Sequence, residues 1–294
     1  MKFSHDRLKD VGPQKESKST RFKIESELRS FHIPRIPEIV ESLVILEENS
    51  RFNDDSRMIL EGVKNVIKLI SSFKLKPIER KRLFLASYLH DIGKASASES
   101  KECRLTVAKL FSISNIDPNQ KIIKSLQDNF PGEEEAMSSH LAEVGMDVKE
   151  ATMREFWDQH AFWTKQALER HHDALDKPTR IIAASHHLDR TDKQINPYGI
   201  DLNNVAQVSN ELKYSIFVLM AVDKYQAFMV RGDMNHDQAM VSLKNVLGRY
   251  DGDVMMGDII ATIGQLGSTN ALFPENMALR KNLSKEKVKS GIIK

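Results

Sequence analysis

From about residue 54 onward, apolar side chains recur at intervals of three and four. Val63, Val66, Ile67, Ile70 and Phe73 form one stripe. That spacing matches the turn of an α-helix and places the stripe on one face, which must then be covered by another element. Pro77 suits the first turn of a following helix, with Leu83, Leu85, Ala86 and Leu89 as its buried side and Gly93 as its end. Further helical stretches are predicted near 103–112, 119–129, 133–147, 150–171, 177–187, 205–230, 236–247 and 256–264. Runs of Val, Ile and Thr with period two are scarce, so a sheet is not expected. The predicted class is all-α, a helical bundle with a short N-terminal extension.

The same patterning divides the chain. Residues 1–22 are polar, basic and aperiodic and read as a mobile arm. In the stretch IPRIPEIVESLVILEE, Ile39, Leu43 and Leu46 share a helical face. Residues 1–50 are therefore taken as an extension, 51–265 as the main domain and 266–294 as a charged tail. No internal repeat or low-complexity segment is visible.

The 294 residues carry a formal net charge of +2, with 40% hydrophobic and 29% charged side chains. So balanced a charge gives no strong pull toward nucleic acid or membrane. No apolar run approaches the roughly 20 residues of a membrane helix, and the N-terminus lacks the apolar core of a signal peptide. Cys103 is the single cysteine, which excludes an internal disulfide and a cysteine-based zinc cluster. Together these lead to the expectation of a cytoplasmic protein that binds neither membrane nor nucleic acid.

The chemistry concentrates where apolar runs end. His90-Asp91 follows one in SYLHDIGKAS, and His186-His187 closes RIIAASHH. His160 lies in FWDQHAFWTKQAL, and Asp223 follows the most apolar segment, SIFVLMAVDKY. A carboxylate beside so apolar a run needs a cation, a metal or several donors, and imidazole is the commonest neutral metal ligand. Adjacent helical residues point about 100° apart, so neighbouring ligands can serve different ions of one cluster. Asp91 could bridge two cations that activate the water between them and clamp phosphate oxygens. Lys94, nearby in sequence, could neutralise a phosphoryl oxygen.

HDIGK in this helical context resembles the HD superfamily of metal-dependent phosphohydrolases, and the later motifs resemble its HD-GYP branch. HDxGK is followed by His160, by His186-His187 26 residues further on (160 to 186), and by AVDKYQA carrying Asp223. The resemblance covers roughly 54 to 250. It implies an all-helical bundle in which His90, Asp91, His160, His186, His187 and Asp223 hold two divalent ions, iron or manganese, with Asp91 bridging. It implies hydrolysis of a phosphodiester in a nucleotide, cyclic di-GMP above all, with Asp91 and Lys94 as catalytic residues. Lys94 and Arg231 would meet the phosphate. It leaves room for a homodimer.

The chain also departs from that pattern. Met58 stands where the family has a further His, and the family's preceding Glu is Asp54, with Glu61 one turn away as a substitute. Leu188 replaces the Glu of the signature, and GYP is absent in order, although Pro197, Tyr198 and Gly199 lie nearby. These changes favour a competing reading, a module that binds a nucleotide or a protein without turnover. The stretch from Lys94 to His160 is far longer than the family's, as a lid or extra scaffold, and it contains His140 as a rival for the role of His160. Trp157 and Trp163 read as core, Arg190 and Lys193 as solvated loop charge, and His32, His171, His172 and His236 as surface residues.

Overall fold

The computed structural model describes residues 18–49, 55–113, 115–190, 195–204, 208–230 and 232–274. Among them the chain is helical throughout, and the nearest approach to a sheet is an isolated bridge between Lys121 and Thr152. The first four helices are α1 (Lys18–Ser30), α2 (Pro37–Asn49), α3 (Asp55–Leu69) and α4 (Pro77–Leu89). Next come α5 (Lys101–Phe111), α6 (Ile122–Asn129), α7 (Glu134–Glu143), α8 (Met153–Asp158) and α9 (His160–Glu169). The last are α10 (Lys177–Ala184), α11 (Asn210–Val230), α12 (His236–Val246) and α13 (Val254–Ser268). No helix among the described residues is long and apolar enough to cross a membrane.

Helix α11 is the axis of the bundle. From Tyr214 to Val222 every residue is buried, so apolar side chains face outward in all directions and require helices all round. Helices α3, α4, α10, α12 and α13 supply that cover. Ile24, Leu28, Ile39, Val40 and Leu43 of α1 and α2 are buried in the same core, so the segment set apart by sequence as an extension packs with the main domain. Helix α1 begins at Lys18, inside the stretch expected to be an arm; residues 1–17 lie outside the described residues. Helix α13 runs to Ser268, past the expected start of the tail, and Leu272 is buried.

The long insertion has a core of its own. Cys103, Val107, Leu110, Ile122, Leu126, Met137, Leu141, Met153, Phe156 and Trp163 pack together, apart from the main cluster. It is joined to the bundle through Ile45, Ala95 and Ala108. The buried Arg104 guanidinium also bonds Glu41 of α2 and the carbonyl of Ser98. His140 belongs to this region, with Nδ1 2.9 Å from Thr106 Oγ1.

Three helix boundaries differ from the sequence expectation, and they matter for the site. Helix α4 stops at Leu89 rather than Gly93, so His90 and Asp91 sit in a turn ahead of a short 3-10 segment, Ile92–Ala95. The cause is a close approach. Gly93 N donates to Thr164 Oγ1 (3.0 Å), whose hydroxyl donates to His90 O (3.0 Å). A Cβ at Gly93 would lie 2.1 Å from His160 O and 2.4 Å from Thr164 N. Gly93 is therefore needed for backbone contact between the turn and α9, not as a helix cap. The stretch 150–171 is likewise two helices, broken at Gln159, and α10 ends at Ala184, which leaves His186 and His187 in a turn.

Candidate metal centre

The described structure brings His90, Asp91, His160, His186, His187 and Asp223 into one cluster. Four of its residues lie at helix ends: His90 and Asp91 after α4, His186 and His187 after α10. His160 opens α9. Asp223 differs, because α11 continues to Val230 and the carboxylate projects from the middle of a buried helix. His90 and His186 are fully buried and Asp91, His160 and Asp223 nearly so.

Asp91 is the hub. Its Oδ1 lies 3.6 Å from His160 Nε2 and 3.6 Å from His186 Nε2, and its Oδ2 lies 3.3 Å from His90 Nε2. Asp223 Oδ1 is 3.7 Å from His90 Nε2 on the other side. Lys94 ion-pairs with Asp91 Oδ2. Each of two groups, His90–Asp91–His186 and His160–His186–His187, has its ligand atoms within 4.8 Å of one another, a spacing that could hold a metal ion.

The tautomers of three histidines are fixed by local backbone. Nδ1 of His90, His160 and His186 lies 2.8, 2.6 and 2.6 Å from the carbonyls of Ser87, Trp157 and Ala183, each three residues earlier. A carbonyl only accepts, so each Nδ1 carries a proton, and in the neutral ring Nε2 is the nitrogen with the lone pair. Carbonyl support of this kind is the usual outer partner of a metal-bound imidazole. The consequence is a buried array of acceptors. His160 Nε2 and His186 Nε2 face each other at 3.3 Å, and His90 Nε2 has no hydrogen-bond partner. Acceptors and carboxylates crowded together out of water are unfavourable without a cation. The residues therefore fit a divalent ion.

The ionisation of the groups follows the same logic. Burial lowers the proton affinity of His90, but the Asp91 and Asp223 carboxylates outweigh it and hold the imidazole up at about 10. Burial opposes ionisation of Asp91 too, yet His90 and Lys94 keep it well below the carboxylate range. Asp223 is lowered in the same way, chiefly by His90 against its own burial. His160, with burial dominant and Asp91 opposing, falls to about 3. Among these side chains alone, His90 is thus an imidazolium whose Nε2 proton stands between two carboxylates, where a bound cation would otherwise sit, while His160 stays neutral.

Asp91, His160, His187 and Asp223 of the cluster line a cavity of about 490 Å³. Lys94 and Lys224 line it too, and the insertion contributes Phe111, Arg154 and Trp157. Trp163 is core as expected, and Trp157 is half-buried, packs against the same core, lies under the Arg154 guanidinium (5.8 Å to the ring centroid) and also lines the cavity. Arg190, expected to be solvated, is held by both oxygens of Asp158 at 2.6 and 2.9 Å. His236 is half-buried against Tyr225 rather than on the surface.

The departures from the family pattern can also be located. Met58 is half-buried on α3, and Glu61 is exposed, paired with Lys64 at 2.7 Å and in neither candidate metal group. Glu61 therefore does not replace the absent ligand. Tyr198 bonds Glu169 (2.5 Å) and lies under Lys165, away from the cavity lining. Asp54, Lys193 and Arg231 lie outside the described residues. Lys224 had no role in the sequence reading, because its partners, His187 and Asp189, are distant in the chain. Searches against protein-family models, curated proteins and solved structures find no match to this chain.

Proposed function

We propose that this chain is a metal-dependent phosphohydrolase of the HD type, acting on a nucleotide phosphodiester, with a cyclic dinucleotide of the cyclic di-GMP kind as the first substrate to test. The observation that carries the reading is the convergence of His90, His160 and His186 on the Asp91 carboxylate, in a cluster that lines a cavity together with Lys94 and Lys224. Iron or manganese suits this mixed imidazole and carboxylate set. When bound, the ion polarises a phosphoryl oxygen and lowers the pKa of a water in the site.

The chain's own residues have separable tasks in this reading. His90, Asp91, His186 and Asp223 hold the ion. Lys94, already beside Asp91, offsets the negative charge that grows on the phosphoryl oxygens. Arg154 and Lys224 add positive charge along the path into the cavity. Trp157 offers an aromatic face to a base. A volume of about 490 Å³ is within the roughly 300–1,000 Å³ of small-molecule sites, so the cavity suits a nucleotide rather than a polymer.

The test is a panel of cyclic and linear nucleotides with manganese- or iron-loaded protein, and Asp91→Ala as control. Release of a linear dinucleotide or a monophosphate by wild type alone supports the reading. Full turnover by Asp91→Ala sinks it. Met58, standing where the resemblance implies a further His, favours a second reading, a module that binds the nucleotide without turnover. Saturable binding with no product would support that one.

A further inference from the structure

His187 differs from the other three histidines of the cluster in what holds its ring. Its Nδ1 meets no carbonyl; it lies 2.9 Å from Lys224 Nζ. An ammonium only donates, so Nδ1 keeps its lone pair and the proton of the neutral ring sits on Nε2. That Nε2 is 2.7 Å from His160 Nε2, whose lone pair is left free by the bond from its own Nδ1 to Trp157 O. Lys224, His187 and His160 thus form a chain of donors to acceptors. Lys224 is anchored at its far end by Asp189 Oδ1 at 3.2 Å, and the side chains of both are largely buried, 16% and 5% exposed.

This is the reverse of what a coordinating imidazole needs. A ligand nitrogen must present a lone pair, and its other nitrogen must donate to an acceptor such as a carbonyl or carboxylate. Lys224 denies His187 both conditions, and the hydrogen bond from His187 occupies the lone pair of His160. A fixed ammonium behind His187 also repels a second cation. At the other end of the cluster, His90, Asp91 and His186 have ligand atoms within 4.8 Å of one another, Asp223 Oδ1 lies 3.7 Å from His90 Nε2, and both histidines donate their outer N–H to carbonyls.

We infer that Lys224 is a positioning residue that locks His187 out of coordination, so that the centre takes one divalent ion per chain, at the His90–Asp91–His186–Asp223 end, where the family resemblance implies two. The inference rests on the reading of the cluster as a metal centre. It assigns His160 and His187 to a hydrogen-bonded pair facing the cavity.

The experiment is elemental analysis of full-length protein after loading with excess manganese(II) and desalting, read as ions per chain. Wild type is expected to hold one. Lys224→Arg keeps a charged donor and is expected to hold one. Lys224→Met alone would leave Asp189 buried beside no cation, so the informative variant is Lys224→Met with Asp189→Asn. It is expected to hold two, and to return to one when His187→Ala is added. Nitrogen-15 NMR of the imidazoles supplies a second readout. His187 is expected as the Nε2–H tautomer in the metal-free wild type and as the Nδ1–H tautomer in the double variant. Two ions in wild type, or one ion in a folded double variant, overturns the inference while leaving the metal centre intact. No ion in any form overturns the metal centre itself.

Discussion

The main bundle and the insertion are both helical and both have a sealed core, yet they contribute different things to the cavity. The bundle, wrapped on α11, supplies His90, Asp91, His186, His187 and Asp223, the groups able to do chemistry. The insertion, packed on Phe156 and Trp163, supplies Phe111, Arg154 and Trp157, a wall able to select what enters. His160 stands at the joint, on the first residue of α9 and with its Nδ1 bonded to the last turn of α8. The difference suggests that reactivity and selectivity are built on separate packing units, and that the seam between them can be attacked from either side.

The largest effect is expected at the hub. Asp91→Ala removes the carboxylate common to His90, His160, His186 and Lys94. Losing the ion costs several kcal/mol of electrostatic stabilisation, so hydrolysis should fall about a thousandfold or more. Bound metal should fall with it, while the helical circular dichroism signal persists. Retained metal with full turnover would mean that the bundle does not carry the chemistry.

Next is the seam. In Gly93→Ala the new Cβ meets backbone atoms of α9 at 2.1 and 2.4 Å, and backbone cannot swing aside as a side chain can. The turn must separate from α9, at a cost of about 3 kcal/mol, the upper part of the usual overpacking range. A thermal melt reads it. Because the same contact sets His160 against Asp91, metal affinity should weaken in step. A stable variant with unchanged metal binding would show that the seam is looser than the geometry implies.

Removing volume from the insertion should do less. Leu126 is fully buried in the second core, and Leu126→Ala should cost about 2–3 kcal/mol, the low side of such truncations, because a small core with few layers can partly collapse. The comparison sharpens if KM rises while ions per chain stay constant. It breaks if the metal is lost too, since the two cores would then be one cooperative unit.

These contrasts track what could be read from sequence. Helix positions were legible because apolar stripes at a spacing of three and four need little else. The six candidate residues stood out because polar residues closing apolar runs demand a partner. The breaks after Leu89 and Ala184 were not legible. They depend on Gly93 meeting Thr164 across the fold, and a local reading makes the same glycine a helix cap. Lys224 was hidden for a similar reason, since its partners His187 and Asp189 lie on another element. Trp157 packs against the second core as its helical spacing predicts, but that it also lines the cavity was not legible, because an aromatic at that spacing looks the same in either place.

The smallest effect tests the wall alone. Thr152 opens α8 with a reciprocal cap. Its Oγ1 accepts from Glu155 N (3.3 Å), and Glu155 Oε2 accepts from Thr152 N (2.7 Å) and Oγ1 (2.8 Å). Thr152→Ala should cost about 1 kcal/mol. Helix α8 carries Arg154 and Trp157, so the variant should raise KM with little change in kcat. The backbone N–H and the hydroxyl of Thr152 hold the Glu155 carboxyl below its ordinary value. A carboxyl lowered on folding stabilises above its unfolded pKa, about 4.3 for glutamate, and that stability is lost as pH falls through the lowered folded value. Melting temperatures of wild type and variant should therefore be separated at pH 7 and draw together in stronger acid. A separation that is constant across that range would locate the effect in the Thr152 side chain's bond to Glu155 N alone, and would remove the carboxylate from the account of how the wall is held.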